Sequence, residues 1–302
     1  MRPDERLPSH KQPPGPPAEP VRLTEAGRVD ALLPPEIARK AEEIGAAKTR
    51  LDAVTLFALA VLGGAFIGLG GMFATSVLAG VSGPSGPVRA LGGLVFALGL
   101  VLVVVGGAEL FTGNNLMVMA WASGKVRLAE MLRAWGIVYC GNLVGAVGTA
   151  LLVVLAGQPM LAGGAAAEAA VRIAAAKTAL PVGQAFFLGI LCNVLVCLAV
   201  WLSYGARGTA DKILAILLPV SAFVTAGFEH SVANMYFIPL AMMLRELAPA
   251  TLLEDPAVAA AAAQIGFAGF LRNLAAVTAG NIVGGGGLVG AVYWFVYLRR
   301  SR

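Results

Sequence analysis

The chain has 302 residues, of which 58% are hydrophobic and 13% charged, and its mean hydropathy is +0.80. Soluble domains are roughly one quarter charged, so this composition excludes an ordinary soluble protein and indicates several membrane spans. The formal charge of +5 bears on membrane orientation rather than on nucleic acid, because no basic stripe is interleaved with aromatic residues.

The first 30 residues are polar and rich in proline, and they lack the apolar segment of a cleavable signal peptide. We expect residues 1–30 to be a disordered extension and residues 31–302 to be one six-span domain. The stretch 32–48, LLPPEIARKAEEIGAAK, predicts an amphipathic helix before the first span. Pro34 and Pro35 lie at its start, where the first turn of a helix tolerates proline.

Six apolar stretches are each long enough to cross about 30 Å of hydrocarbon as a helix. The predicted spans are about 52–80, 88–123, 131–157, 182–206, 212–246 and 270–298. The second and the fifth are too long for one simple crossing, and each carries a polar interruption. The sequence therefore predicts an all-α membrane protein whose second and fifth helices are broken.

The basic residues between the spans predict the orientation in the membrane. If the N-terminus is cytoplasmic, twelve Lys and Arg residues from Arg39 onward face the cytoplasm and five face the outside. The outer five are Arg89, Arg172, Lys177, Arg245 and Arg272. This difference predicts that both termini are cytoplasmic, which agrees with an even number of spans.

Two motifs recur in the two halves of the chain. GAELFTGN (107–114) and GFEHSVAN (227–234) both read G-x-E-x-x-x-x-N, and each interrupts the second span of its half. GNLVGA (141–146) and GNIVGG (280–285) recur in the third span of each half. With three spans in each half, the second half is predicted to be inverted relative to the first. Inverted repeats with broken helices place polar sites near the middle of the membrane.

Both interruptions place a carboxylate at membrane depth. Irregular backbone survives there only when it is buried in protein or lines a water-filled cavity. Glu109 and Glu229 are costly at this depth unless they are neutral or paired. Two roles stay open for them: each lines a pathway, or each holds its loop by accepting bonds from backbone N–H groups. Thr112 is a plausible N-cap for the segment after the first break.

His230 follows Glu229 directly and is the one histidine in the apolar part of the chain. Two interpretations stay open for it: a structural histidine bonded to backbone, and a functional one. The break, the repeat and Leu110 at the corresponding place of the first half favour the functional interpretation. A helix that begins after a break carries partial positive charge at its N-terminus and suits an anion. An arriving anion would make His230 a proton donor or a hydrogen-bond donor.

Other chemistry has little support in the sequence. Cys140, Cys192 and Cys197 lie in apolar segments without C-x-x-C spacing, which favours packing over a disulfide or a metal site. We expect no cofactor. The chain has no H-E-x-x-H, nucleophile elbow, P-loop or dinucleotide fingerprint, so an enzyme is not predicted. It also lacks the paired N-P-A motifs of aquaporin-class channels for neutral solutes.

At these motifs the chain resembles the formate/nitrite transporters. The matching stretches cover about residues 31–299 in the order of the family, and they are LLPPEIARKAEEIG, GAELFT, GNLVGA, LGILCNVLVCLAVW, GFEHSVANM, GNIVGGG and YWFVYLR. The resemblance implies an aquaporin-like fold, a homopentamer with a pore in each protomer, and a multi-pass location in the bacterial inner membrane. It also implies transport of small monovalent anions such as formate, nitrite, acetate, lactate or hydrosulfide.

The resemblance also implies site residues. The central histidine of the family falls on His230, its pore threonine on Thr112, its vestibule lysine on Lys177 and its polar asparagine on Asn193. The apolar constrictions fall on Phe96, Leu100, Phe111, Val196 and Phe223.

A mechanism follows from these assignments. Lys177 would concentrate the anion, which would cross the apolar constrictions as a neutral acid after protonation by His230 or by water. Formate is the expected substrate, with nitrite or another weak-acid anion as the alternative and a neutral solute as a weaker one.

Overall fold

A computed structural model describes residues 31–81, 83, 85–247 and 255–300 of the chain. The extension predicted for residues 1–30 lies outside the described residues. The α-helices are α1 (Pro34–Thr49), α2 (Ala53–Leu78), α3 (Gly86–Gly106), α4 (Val118–Ala122), α5 (Leu128–Leu155), α6 (Ala165–Ala179), α7 (Val182–Gly205), α8 (Thr209–Thr225), α9 (Ser231–Leu247), α10 (Pro256–Ala263), α11 (Phe267–Asn281) and α12 (Val292–Tyr297). Gly113–Met117 and Gln158–Gly164 form 3₁₀ helices, and a π-helix over Ile282–Ala291 joins α11 to α12.

Five of these segments are long and apolar enough to cross a membrane within the described residues. They are α2, α3, α5, α7 and the continuous helix Phe267–Tyr297. The predicted fifth span is different, because it is divided into α8 and α9, which have 17 residues each. Neither half reaches the roughly 20 residues that a crossing needs. The all-helical membrane fold and the break in the fifth span are confirmed.

The two breaks begin in the same way, with a glycine in the left-handed backbone region. Gly107 follows α3 with φ 83°, and Gly227 follows α8 with φ 73°. A side chain disfavours this conformation, so glycine at this position ends a helix at low cost. The chain then runs irregularly through Glu109 or Glu229 before a helix resumes.

Small residues let the helices that hold the breaks approach closely. A methyl group added to Gly64 on α2 would lie 2.0 Å from the carbonyl oxygen of Asn142 on α5. In the second half, one added to Gly284 would lie 2.2 Å from the carbonyl oxygen of Ile190 on α7. Close backbone approach through small residues is the usual way in which membrane helices pack. It brings Asn142 and Asn281 within reach of the broken segments.

Large apolar side chains remain on the surface of a single chain. Leu152 on α5 is 68% exposed and Leu218 on α8 is 77% exposed. Lipid tails or neighbouring protomers cover such side chains in a membrane protein, so no water-facing role is needed for them.

Candidate functional site

The loop after α3 carries the first polar centre, which consists of Lys48, Glu109 and Asn114. Glu109 Oε2 lies 3.0 Å from Nζ of Lys48 and accepts a 2.7 Å bond from Nδ2 of Asn114. The lysine also donates to Oδ1 of Asn114 at 2.8 Å. The Glu109 side chain is 8% exposed and the Lys48 side chain 23% exposed. A carboxylate at this depth is therefore paired, as its desolvation requires.

The loop after α8 carries the second polar centre, which consists of Lys177, Glu229 and Asn234. Lys177 Nζ lies 2.8 Å from Oε1 of Glu229, and Asn234 Nδ2 donates to Oε2 at 2.7 Å. Asn273 joins this centre by donating to Oε2 at 3.3 Å and by accepting from Asn234 at 2.7 Å. Lys177, predicted as a vestibule lysine, is ion-paired with Glu229 and borders the larger of the two cavities described below.

Asn142 holds the first loop. Its Oδ1 accepts from the backbone N–H of Phe111 at 2.9 Å, and its Nδ2 donates to the carbonyl oxygens of Ala60 at 2.7 Å and Glu109 at 2.8 Å. The side chain is fully buried. One amide therefore satisfies two backbone groups that the broken helix leaves without partners, those of Phe111 and Glu109, and ties them to the carbonyl oxygen of Ala60 on α2.

Asn281 makes the matching set of bonds in the second half. Its Oδ1 accepts from Ser231 N–H at 3.0 Å, and its Nδ2 donates to the carbonyl oxygens of Gly189 at 2.8 Å and Glu229 at 3.0 Å. The repeat in the sequence therefore corresponds to two equivalent hydrogen-bond networks.

These asparagines change two expectations. Among the described contacts, the carboxylates of Glu109 and Glu229 accept from side chains, so the asparagines rather than the glutamates anchor the loops. Thr112 does lie at the N-cap position of the following 3₁₀ helix, but its side chain makes no capping bond. Its hydroxyl is directed to His230 instead.

His230 is bonded on both ring nitrogens. Nδ1 accepts from the backbone N–H of Ala233 at 3.0 Å, and Nε2 lies 2.9 Å from Oγ1 of Thr112. Because Nδ1 uses its lone pair, the neutral ring carries its proton on Nε2 and donates it to the threonine oxygen. The hydroxyl proton of Thr112 is then available to another acceptor. Both side chains are buried, and the bond joins the two broken segments.

Two cavities approach this bond from opposite directions. The larger cavity has a volume of about 440 Å³ and is bordered by Lys177, Glu229 and His230. The smaller cavity has a volume of about 200 Å³ and is bordered by Lys48 and Glu109. Among the described residues, none borders both cavities.

An apolar layer separates the cavities. Phe96 borders the larger cavity, and Leu100, one turn later on α3, borders the smaller one. Four residues of α-helix span about 6 Å, so the layer is thin on this side. Phe96 packs edge-on against Phe223 with ring centroids 5.9 Å apart, and Phe223 stacks on the ring of His230 at 6.0 Å.

The remaining predicted site residues lie outside both cavity walls. Phe111 packs against Trp135 and Tyr139 of α5 at centroid distances of 6.0 and 4.9 Å. Asn193 donates to the carbonyl oxygens of Thr112 at 3.3 Å and of Asn281 at 2.7 Å. It therefore supports the loop that contains Thr112. Val196 is buried one turn further along α7.

Sequence reasoning missed Lys48 as a site residue. The positive-inside pattern predicts only a cytoplasmic position for this lysine, although the sequence contains a further signal. Lys48 precedes Ala60 by the same number of residues as Lys177 precedes Gly189, and Ala60 and Gly189 are the equivalent carbonyl partners of the two anchoring asparagines. Extending the repeat upstream of the first span would have matched the two lysines.

The described residues contain no group of three or more His, Cys, Asp or Glu side chains placed to hold a metal ion. Cys192 and Cys197 are buried, and Cys140 is exposed. Cys197 Sγ donates to the carbonyl oxygen of Thr112 at 3.3 Å, so it packs against the loop that contains Thr112, as Asn193 does.

Broken helices, paired cavities and an apolar layer with one polar bond define a multi-pass membrane protein with a solute pathway. The comparison with protein families agrees, since the formate/nitrite transporter description matches residues 35–295. The chain belongs to the formate/nitrite transporter family, whose members are transporters and channels rather than enzymes.

Relatives of known name resemble this chain over most of its length. It is 41% identical over 277 residues to the formate channel FocA of Escherichia coli strain K12, covering 90% of this chain and 96% of the relative. It is 36% identical over 265 residues to FocA of Haemophilus influenzae, covering 86% and 93%. A solved structure described as a pentameric formate channel with formate bound has 42% identity and a TM-score of 0.76, covering 82% of this chain and 98% of that one.

Proposed function

We propose that this protein carries small monovalent weak-acid anions across the membrane, formate foremost, through a pore in each protomer of a homopentamer. The E. coli relative is named a formate channel, and the similar solved structure is described as pentameric with formate bound. Identity of about 40% over nearly the whole chain supports the same substrate class and assembly here.

The observation that carries this proposal is the bond between His230 and Thr112. It lies in the apolar layer between two cavities, and each cavity holds a lysine paired with a glutamate. A solute passing from one cavity to the other meets Phe96 and Phe223, then the imidazole and the hydroxyl, then Leu100. Asn193 supports this passage by donating to the Thr112 carbonyl oxygen, and Phe111 and Val196 remain the other apolar residues that we propose for the constriction between the cavities.

Each lysine offers an ammonium group to an anion in its cavity, while its glutamate keeps the lysine from being a bare charge in the membrane. Lys48 is held by Glu109 and Asn114, and Lys177 is held by Glu229, so a carboxylate partly compensates the charge of each lysine. An anion drawn inward loses water as the walls become apolar, and this loss favours its neutral acid form. The neutral acid crosses the thin apolar layer.

Water in the cavities is the proton donor that the geometry favours. The neutral His230 ring carries one proton, on Nε2, and giving it up would leave an anionic imidazolate. Taking a second proton on Nδ1 would break the bond from the Ala233 amide. His230 therefore acts as a fixed hydrogen-bond donor to the oxygen of Thr112. The Thr112 hydroxyl in turn donates its own proton in a hydrogen bond to the substrate oxygen.

We infer the orientation and the domain boundaries from charge and composition. The larger cavity holds Arg89, Arg172 and Lys177, three of the five basic residues predicted to face the outside. It therefore opens away from the cytoplasm of a bacterial inner membrane, with both termini cytoplasmic. Residues 31–302 form the transporter domain, in two inverted three-span halves of aquaporin-like plan, and residues 1–30 are an extension to it.

Nitrite is the second candidate substrate, because the family description names both anions. Nitrite and formate are both small, planar and singly charged, and the described pathway offers no group that selects between them by charge. A neutral solute such as glycerol is disfavoured, since a lysine borders each cavity.

The test uses purified protein in liposomes that contain a pH-sensitive dye. Gradients of formate, nitrite and glycerol are imposed in turn, and solute entry is followed together with internal pH. We expect formate entry accompanied by a proton. Faster nitrite entry would change the named substrate, and glycerol entry without anion entry would refute the proposal.

A further inference from the structure

Arg89 lies four positions into α3, at the end of that helix that borders the larger cavity. Its side chain is half-buried. Nη2 lies so close to the α-carbon of Gly227 that a methyl group added there would be 2.6 Å from it. Gly227 begins the second break and precedes Glu229 and His230 by two and three residues. The guanidinium therefore lies at the rim of the second polar centre.

Arg89 differs from the other cations of this cavity in its partners. Lys177 lies 2.8 Å from Glu229, and Arg172 lies 3.3 Å from Glu168. Arg89, by contrast, has no carboxylate or hydrogen-bonding partner for its side chain among the described residues. Its five N–H donors are available to a ligand that enters the cavity.

The smaller cavity has no equivalent. Gly107 occupies the place of Gly227 in the first half, and a methyl group added to it would meet nothing within 4 Å. Lys48 is the one basic residue among those that border the smaller cavity, and it is bonded to Glu109 and Asn114. The arginine at the larger cavity therefore has no counterpart at the smaller one, and the sequence repeat does not account for it.

We propose that Arg89 is a binding residue that captures a carboxylate, or another planar anion with two oxygens, at the mouth of the larger cavity. The inference rests on the proposed function and adds to it the first contact of the substrate. A guanidinium presents parallel N–H groups that match two anion oxygens, whereas an ammonium acts as a point charge. The anion would bind Arg89 first and then move inward to Lys177 and His230.

Binding to the planar guanidinium of Arg89 affects which anions the cavity selects. Anions with two oxygens in one plane gain two bonds at Arg89, and a spherical anion of the same charge gains only attraction. The mouth would therefore favour carboxylates and nitrite over halides before the apolar layer is reached. Lys177 alone would not make this distinction, because its charge is compensated and its geometry is not bidentate.

The test compares wild-type protein with Arg89→Gln, Arg89→Lys and Arg172→Gln. Arg172→Gln is the matched control, because it removes one positive charge from the same cavity at a residue that already has a carboxylate partner. One readout is the KM for formate entry from the larger cavity in liposomes. The other is the Kd for succinate, a dicarboxylate probe, by saturation-transfer NMR in detergent, which requires no transport.

We expect Arg89→Gln to raise both the KM for formate and the Kd for succinate about fivefold, and Arg172→Gln to change them by less than about twofold. Arg89→Lys should recover less than half of the loss, and chloride should compete with succinate equally weakly in all variants. A succinate Kd in Arg89→Gln within twofold of wild type would overturn the proposal. A fully restored Kd in Arg89→Lys would refute the bidentate contact.

The two proposals fail in different ways. If wild-type liposomes admit no formate while succinate still binds and loses affinity in Arg89→Gln, the proposed function is wrong and the Arg89 site stands. If formate enters and the succinate Kd is insensitive to Arg89, the Arg89 site is wrong and the function stands.

Discussion

The two polar centres are built from the same set of residue types, and they differ in the residues added to that set. Both consist of a lysine, a glutamate and an asparagine, beside an anchoring asparagine with three backbone partners. The second centre adds His230 where the first has Leu110. It also adds Asn273, whose place relative to the anchor is occupied in the first half by Ala134. Shared residues therefore hold the broken chain, and unmatched residues distinguish the two mouths.

Removing the shared anchors should have the largest effect. Asn142→Ala and Asn281→Ala each leave one backbone N–H and one carbonyl oxygen of the broken loop buried without this partner, and each removes a further bond to a carbonyl oxygen of a neighbouring helix. We expect each to lower the free energy of unfolding by about 3 kcal/mol or more. Thermal unfolding in detergent measures the loss. If one variant is stable and the other is not, the two anchors are not equivalent. Thr149→Ser, a buried change away from both loops, is the control.

The paired glutamates should come next. Glu109→Gln and Glu229→Gln remove the charge partner of Lys48 and Lys177, and the replacement amide is not a charge partner for the ammonium. Breaking a buried pair costs about 3–5 kcal/mol, and partial exposure of the lysines reduces this to about 2 kcal/mol.

The two glutamine variants also allow the stability contributions of the two polar centres to be compared. Because the Lys177 side chain is 15% exposed and the Lys48 side chain 23%, Glu229→Gln should destabilise more than Glu109→Gln. Denaturation midpoints of the two variants in the same detergent give the order. The reverse order would show that Asn273 compensates the second centre.

His230→Leu makes the second centre resemble the first at the position where they differ most. The change removes the Nε2 donor and leaves the Thr112 hydroxyl without its partner. We expect formate flux to fall about tenfold, with little loss of stability, since leucine suits the apolar surroundings.

His230→Gln tests whether the donor or the titration of the ring matters. Glutamine retains an N–H donor but does not titrate, so flux should recover by at least about half of the loss on a logarithmic scale, with the proton still accompanying formate. If His230→Gln transports formate without a proton, the histidine and not water supplies it.

Thr112 should show the smallest effect. Thr112→Val keeps the shape but removes the oxygen that accepts from His230, and Thr112→Ser keeps the oxygen. We expect about a threefold loss of flux in the valine variant and near wild-type flux in the serine variant. Equal flux in both would place the hydroxyl outside the pathway.

Much of this architecture could be predicted from local patterns. Apolar length predicted the spans, because hydrocarbon thickness fixes how many residues a crossing needs. The repeated G-x-E-x-x-x-x-N motif predicted both breaks, since glycine and a carboxylate interrupt an apolar helix for reasons that act along the chain. Lys48 was missed because its match to Lys177 lies upstream of that motif.

The sequence by itself determined the membrane fold, the two breaks and the identity of the groups that reach them, because hydropathy, glycine and buried polar residues act locally. Only the tertiary structure decided which groups meet. It bonded Asn193 to the carbonyl oxygen of Thr112, packed Phe111 against Tyr139, paired Lys177 with Glu229, and left Arg89 beside Gly227 without a carboxylate. These outcomes depend on contacts between residues far apart in the chain, and no local pattern encodes the direction in which a side chain points once the helices have packed.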